Sequence, residues 1–254
     1  MLILLSPAKT MVATSAVRAP GETRPEFQKE ANEMALYMSQ FSPDELRKIL
    51  KLNPQLAKET YMRFQNFHSP EEAPLQALLA YTGVVFKHIR PEDFSREDFL
   101  FAQKSLRMVS ICYGLLRPFD LIKPYRMEYN IKLPEAGDGN LYSFWRDRQT
   151  DFLINEVKQT GGLLLNLASK DVQPAFDWKK AEQSVRIITP EFKINKNGNY
   201  TTVVIYAKMA RGEMTRYIIK NKIEDPELLK NFLWEGFRYE ESLSDSGNWL
   251  FLQE

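Results

Sequence analysis

Lys9 is the first residue whose placement suggests chemistry. It lies in the loop "PAKTM", directly after the apolar run Leu2 to Leu5 and beside Ser6 and Thr10. A lysine at the mouth of a buried strand can hold an anion, or act as a base if its surroundings lower its pKa. The loop has no G-x-x-x-x-G-K-[ST] spacing, so it is not a nucleotide P-loop.

Two basic clusters stand out from a chain whose formal net charge is only +1. Residues 101 to 132 carry Lys104, Arg107, Arg117, Lys123, Arg126 and Lys132 against Asp120 and Glu128, a net +4. Within them, "SICYGLLRPFDLIKPYRMEY" adds Tyr113, Tyr125 and Tyr129. Arginine forks suit phosphate oxygens, and tyrosine can stack on a base or hydrogen-bond a phosphate. Equally, Arg117 could pair with Asp120 and Arg126 with Glu128, bracing a tight turn. Residues 208 to 222 carry Lys208, Arg211, Arg216, Lys220 and Lys222 against Glu213, again +4. Arg216 and Lys220, four apart, share a helix face, and Arg211-Gly212 sits near that helix's start, where anions also bind.

Other reactive types read less sharply. Cys112, the only cysteine, lies between Ile111 and Tyr113 with no histidine beside it, which suggests a buried thiol acting as a small apolar side chain. Asn166 and Ser169 follow an apolar strand, a place where α/β sheets put ligand contacts. Asp147 is a salt-bridge partner or an acid, and nothing local chooses. With His68 and His88 the only histidines and no Glu-x-x-His pair, no dedicated metal site and no cofactor are expected.

These residues need a scaffold. "MLILLS" reads as a buried strand, and residues 11 to 26 as an irregular segment. From Phe27 the spacing turns helical, and "SPDELRKIL" opens a second helix with Ser42 as N-cap and Pro43 first. Two more helices are predicted over 54 to 68 and 70 to 80. Another begins at Ser95 and is read as helical on to Gly114, which would stop it. The second half changes character. "GGLLLNLAS" is a short strand, and "SVRIITPEFKINKNGNYTTVVIYAKM" a hairpin turning at Asn197-Gly198. "RGEMTRYIIKNK" and "DPELLKNF" are helices, and the last residues form two strands around Ser-Asp-Ser-Gly.

At 254 residues, 44% of them hydrophobic, the chain can bury a sizeable core, and one domain spanning 1–254 of mixed α/β (α+β) class is expected. Its helical N-terminal half would pack on a mixed sheet ending in a C-terminal hairpin. The near-zero net charge does not by itself announce a nucleic-acid protein. One cysteine excludes an intrachain disulfide and fits a reducing, cytoplasmic setting. The apolar N-terminus is too short for a signal sequence, and no window is long enough to span a membrane.

The segments "LLSPAKTM", "LRMVSICYGLLRPFDLIKPYRMEY", "LYSFWRD", "NLAS", "ARGEMTRYIIKN" and "GFRYEESLSDSGNWLFL" together resemble the YaaA-like peroxide-stress family over nearly the whole chain. The resemblance implies a cytoplasmic bacterial protein that lowers unincorporated iron during hydrogen peroxide stress. It also implies a compact mixed α/β fold, a positively charged cleft, and a helix-hairpin-helix-like element near residues 100–130 that binds duplex or branched DNA. Lys9, Arg117, Pro118, Asp120, Pro124, Tyr125, Arg126, Asn166, Arg211, Gly212 and Arg216 match the family's motifs. The sequence departs from them at Val84, Phe86, His88 and Ile111, where the family carries an acid, a tyrosine and two glycines. The expectation is therefore a basic cleft formed by Lys9, Arg117, Tyr125, Arg126, Arg211 and Arg216, with Asn166 nearby, binding DNA phosphates non-specifically. The rival is an enzyme for a small anionic substrate with Lys9 as catalytic candidate. An open groove would favour the first and an enclosed pocket with buried Lys9 the second.

Overall fold

The computed structural model describes residues 1–132 and 139–254. The opening apolar run forms β1 (Leu2–Leu5), buried along its length. Three helices follow the irregular segment: α1 (Gln28–Met38), α2 (Pro43–Ile49) and α3 (Pro54–Gln65). α1 buries Ala31, Met34, Ala35 and Met38, the stripe that its spacing dictates. α2 begins with a reciprocal capping box between Ser42 and Glu45, and Pro43 occupies the first position, where a missing N–H costs nothing.

Residues 70–80 depart from the helix predicted there. They form a short strand, β2 (Leu75–Gln76), and one helical turn, α4 (Ala77–Ala80). Tertiary partners override local propensity at this point. The Ala77 amide donates to Asp120 O at 2.8 Å, and the Gln76 side chain binds the backbone of Ala19 and Gly21. α5 (Val84–Ile89) and α6 (Arg96–Ser105) come next, the latter capped by Ser95 and Asp98.

The helix read as running to Gly114 stops at Ser105. Leu106–Ser110 is a buried strand, β3, and β4 (Gly114–Leu116) returns antiparallel to it. Gly114 serves this hairpin rather than a helix end. Its φ is +70°, and a Cβ there would lie 2.6 Å from the Trp145 ring. β5 (Leu121–Ile122) follows and pairs with β2. Residues 106–122 are thus strand and turn, and among the described residues no helix follows until α7 (Leu141–Gln159). The helix-hairpin-helix-like element implied for 100–130 is replaced by a helix followed by a β-hairpin. The cause is the site beside β1: an apolar run next to an unpaired central strand gains a ladder of hydrogen bonds as a strand.

Beyond α7 lie β6 (Leu163–Asn166), α8 (Trp178–Ser184), β7 (Arg186–Lys196) and β8 (Asn199–Thr201). The β7–β8 turn holds Asn197 and Gly198 at φ of 55° and 84°, the left-handed pair that an Asn-Gly hairpin requires. α9 (Val204–Asn221) starts earlier than predicted and absorbs "VIYAKM", which had read as strand. "DPELLKNF" forms a 3₁₀ turn, and β9 (Arg238–Tyr239) and β10 (Asn248–Gln253) pair antiparallel.

The main sheet runs β4-β3-β1-β6-β7-β10-β9, with β8 on β7. β3, β1, β6, β7 and β10 are mutually parallel, so their carboxyl ends share one side. From β1 the chain crosses to β3, and from β6 it proceeds to β7 on the other side. The gap between β1 and β6 is therefore the topological switch point, where open α/β sheets bind ligands.

Candidate anion-binding site

At this switch point the loops after β1 and β6 are tied together. Ser6 Oγ lies 3.0 Å from Ser169 Oγ and accepts the Ser169 amide at 2.8 Å. Asn166, the last residue of β6, is buried. Its Oδ1 accepts from the Ala168 amide at 3.2 Å and its Nδ2 donates to Thr189 Oγ1 at 3.3 Å. It shapes the loop and presents no free polar atom.

Lys9 leaves the β1 loop with 67% of its side chain exposed and its Nζ 2.6 Å from Glu128. Arg126 lies against it, Nη1 donating to Lys9 O at 3.2 Å. Arg126 Nε is buried and has no partner among the described residues. Arg63 on α3 joins them. Burial lowers its pKa, Glu59 offsets part of this, and the like charge of Arg126 lowers it further. Three cations, Lys9, Arg126 and Arg63, against two carboxylates, Glu128 and Glu59, leave a net positive local field that an anion would neutralise.

Next to Glu128, Tyr129 stacks on Tyr142 with ring centroids 4.4 Å apart. The Tyr142 hydroxyl donates to Asp171 O at 2.9 Å, whereas the Tyr129 hydroxyl is buried without a partner. Arg211, on α9, has no ion pair among the described residues, and its Nε is also buried and unpartnered. Burial lowers its pKa, with Glu191 and Asp171 acting in the opposite sense from a distance. It is held in place by Gly212, where a Cβ would come within 2.3 Å of Val85 O, so α5 and α9 touch backbone to backbone.

Three other candidates serve the fold. β4 runs back from the carboxyl ends of the strands, and Arg117 lies toward the sheet's amino side. There its Nη2 donates to Glu156 at 2.8 Å and its backbone amide to Asp120 at 2.7 Å. Glu156 is shared with the buried Arg107. Tyr125 is enclosed: its hydroxyl meets Tyr81 at 3.0 Å and Ser110 at 2.8 Å and accepts the Ile111 amide at 3.2 Å. Burial pushes its pKa up to about 12. Arg216 grips Asp93 through both terminal nitrogens, at 2.7 and 2.6 Å, and caps the end of α5 through Ile89 O and Arg90 O. Cys112 is fully buried, and burial pushes its thiol up well beyond the usual range. Asp147 lies on α7 and has no ion-pair partner among the described residues.

Sequence reasoning passed over Arg63 and gave Lys123 no role of its own. Lys123 Nζ donates to Phe67 O at 2.8 Å and Ser69 O at 2.6 Å and has no ion pair among the described residues. Burial lowers its pKa, an effect Glu72 partly offsets. It lines a cleft of about 200 Å³ together with Met11, Arg63, Phe67, Pro124 and one acid, Glu72. Met11 is two residues from Lys9 and Pro124 two from Arg126, so this cleft connects Lys123 through Arg63 to the Lys9–Arg126 pair. The four cations make a line that no single motif displays. Lys123 was visible as part of the +4 cluster, but Arg63 looks like any polar residue on a helix.

The sequence model described as peroxide stress protein YaaA matches residues 1–243. The chain belongs to the YaaA peroxide stress protein family. A UPF0246 protein of Parabacteroides distasonis is 66% identical over the full length of both chains. One from Bacteroides thetaiotaomicron is 55% identical, covering 99% of this chain and 98% of its own. Another from Crocosphaera subtropica is 40% identical over the whole of both. The family name supports a role in peroxide stress. Among the described residues no helix is long and apolar enough to cross a membrane.

Proposed function

We propose that this peroxide stress protein limits unincorporated iron and protects DNA from oxidative damage by binding DNA non-specifically, its phosphates following Lys123, Arg63, Arg126 and Lys9. The observation that carries this reading is the succession of Lys123 and Arg63 along one cleft, Arg126 beside Arg63, and an exposed Lys9 against Arg126. Lysine and arginine spaced along a groove contact phosphates without reading sequence. Arg117, Tyr125 and Arg216 drop out, because their polar groups are already occupied within the fold. Iron is lowered indirectly in this reading: neither histidine nor the buried thiol lies in the cation line. Lys9→Ala tests the assignment. One lost phosphate contact should reduce the slope of log affinity against log salt by roughly one unit and leave the rest of binding in place.

A second reading has its own observation. Three of the four buried, unpartnered side-chain atoms among the described residues belong to Arg126, Tyr129 and Arg211. Buried polar groups are rarely left unpaired, and each such group asks for a partner. A small anionic substrate at the switch point would supply one. If that reading is right, Lys9→Ala abolishes turnover of such a substrate with the fold intact, while duplex DNA shows no salt-sensitive binding.

A further inference from the structure

A second cavity, of about 590 Å³, adjoins the cation line. It opens between the segment leading into α1 and the residues after α3, and it shares Phe67 and Lys123 with the smaller cleft of the cation line. Its volume is that of a small-molecule pocket, roughly 300–1,000 Å³.

The chemistry of its walls is specific. Phe67 and Tyr113, both buried, lie with ring centroids 6.0 Å apart, and His68 stands edge-on to Phe67 at 5.5 Å. Two side-chain amides, Gln28 and Asn32, project from successive turns of α1. Gln28 Nε2 donates to Asn32 Oδ1 at 2.9 Å, and this is the only side-chain hydrogen bond either makes among the described residues. The pair therefore offers an unused acceptor, Gln28 Oε1, and an unused donor, Asn32 Nδ2. An acceptor and a donor on one helix face suit the hydrogen-bonding edge of a nucleobase, and the exposed His68 ring, backed by the buried Phe67, offers it a face. Lys123 and Arg24 against Glu22 leave the cavity's charged lining at a net +1.

We propose that this cavity holds one unstacked nucleobase of a bound DNA strand whose backbone continues along Lys123, Arg63, Arg126 and Lys9, an inference that rests on the DNA reading above. The cation line fixes the strand, the amide pair engages the edge of the displaced base, and Phe67 and His68 border its ring. Taking a base out of a duplex costs unstacking and unpairing energy, least where the base is already unpaired. The protein should therefore prefer DNA carrying an unpaired base over a matched duplex.

The test uses 2-aminopurine, whose fluorescence rises when it leaves the stack. Three probes are titrated into the full chain: a matched duplex containing 2-aminopurine, the same duplex with 2-aminopurine opposite an abasic position, and free 2-aminopurine nucleotide. The expected result is about tenfold tighter binding of the abasic duplex than of the matched one, the energy of one base on an aromatic platform. In Gln28→Leu and Asn32→Leu that preference falls to unity while matched-duplex affinity is unchanged. Both positions are partly exposed on α1, and thermal melting confirms that the variants fold. Equal affinity of the wild type for the two duplexes overturns the base pocket and leaves the DNA reading standing. No salt-sensitive binding of either duplex overturns both. Free nucleotide binding as tightly as the abasic duplex, with the same dependence on Asn32, assigns the cavity to a mononucleotide and overturns its role for a strand.

Discussion

Glu156→Gln separates the structural arginines from those assigned to DNA. Glu156 bridges two cations: Arg107 Nε donates to it at 2.6 Å with a second bond from the same guanidinium, and Arg117 Nη2 donates at 2.8 Å. Arg107 keeps only 6% of its side chain exposed. Neutralising its carboxylate leaves a buried guanidinium without a counter-ion, a loss of about 3–5 kcal/mol. A chain of 254 residues shifts its Tm by about 2–4 °C per kcal/mol, so a fall of roughly 6–20 °C is expected. Arg117→Ala removes one charge-assisted bond from a partly exposed group and leaves the Arg107–Glu156 pair intact, a cost of about 1.5–3 kcal/mol. The pH dependence has a definite sign. Burial alone would raise the Glu156 pKa, but hydrogen bonds and charge from Arg117 and Arg107 hold it below its ordinary 4.5. Its contribution is complete above 4.5 and is lost as the pH falls through the folded value. The Tm gap between wild type and Glu156→Gln should close in acid. Differential scanning calorimetry of the three proteins from neutral pH downward reads all of this. A smaller loss for Glu156→Gln than for Arg117→Ala, or a gap that widens in acid, would refute the bridge.

Further outcomes follow from other contacts. Gly212→Ala places a Cβ 2.3 Å from Val85 O, so α9 must shift, and stability should fall by about 1–3 kcal/mol in urea denaturation, at the upper end because backbone is in the way. Tyr125→Phe leaves the Ile111 amide without its acceptor and should lower stability by about 1–3 kcal/mol, with duplex affinity unchanged by fluorescence anisotropy. Cys112, buried with its thiol pKa pushed up, should resist both iodoacetamide and hydrogen peroxide in the native protein and react only after unfolding, as mass spectrometry would show.

Legibility from sequence followed the range of the interactions. β1, the α2 cap and the Asn197-Gly198 hairpin were readable because their causes are local: a continuous apolar run, a capping box, a left-handed turn. β3 was not. "LRMVS" carries Arg107, which looked like a helical polar position until Glu156, on α7, is seen to neutralise it inside the sheet. Residues 75–80 take their form from Asp120 and from Ala19, far along the chain. The candidate site divides the same way. Lys9 and Arg126 were legible as residues beside a strand end and in a basic cluster, and the fold brings them together. Arg117 and Arg216 have the same side-chain chemistry, but their acids, Glu156 and Asp93, come from distant elements, and only the fold shows those charges already used. Arg63 carries no local signal, since its importance comes from Arg126 arriving beside it.

The salt dependence of duplex binding tests the central claim most directly. With Lys123, Arg63, Arg126 and Lys9 each on one phosphate, log affinity for a short fluorescein-labelled duplex should fall against log salt with a slope of about −3.6. Arg63→Ala, which alters a residue only the fold brings to the site, should reduce that slope by roughly one unit, and Arg117→Ala should leave it unchanged. A slope indifferent to Arg63 but diminished by Arg117→Ala, or duplex binding independent of salt, would contradict the assignment of the cation line to DNA.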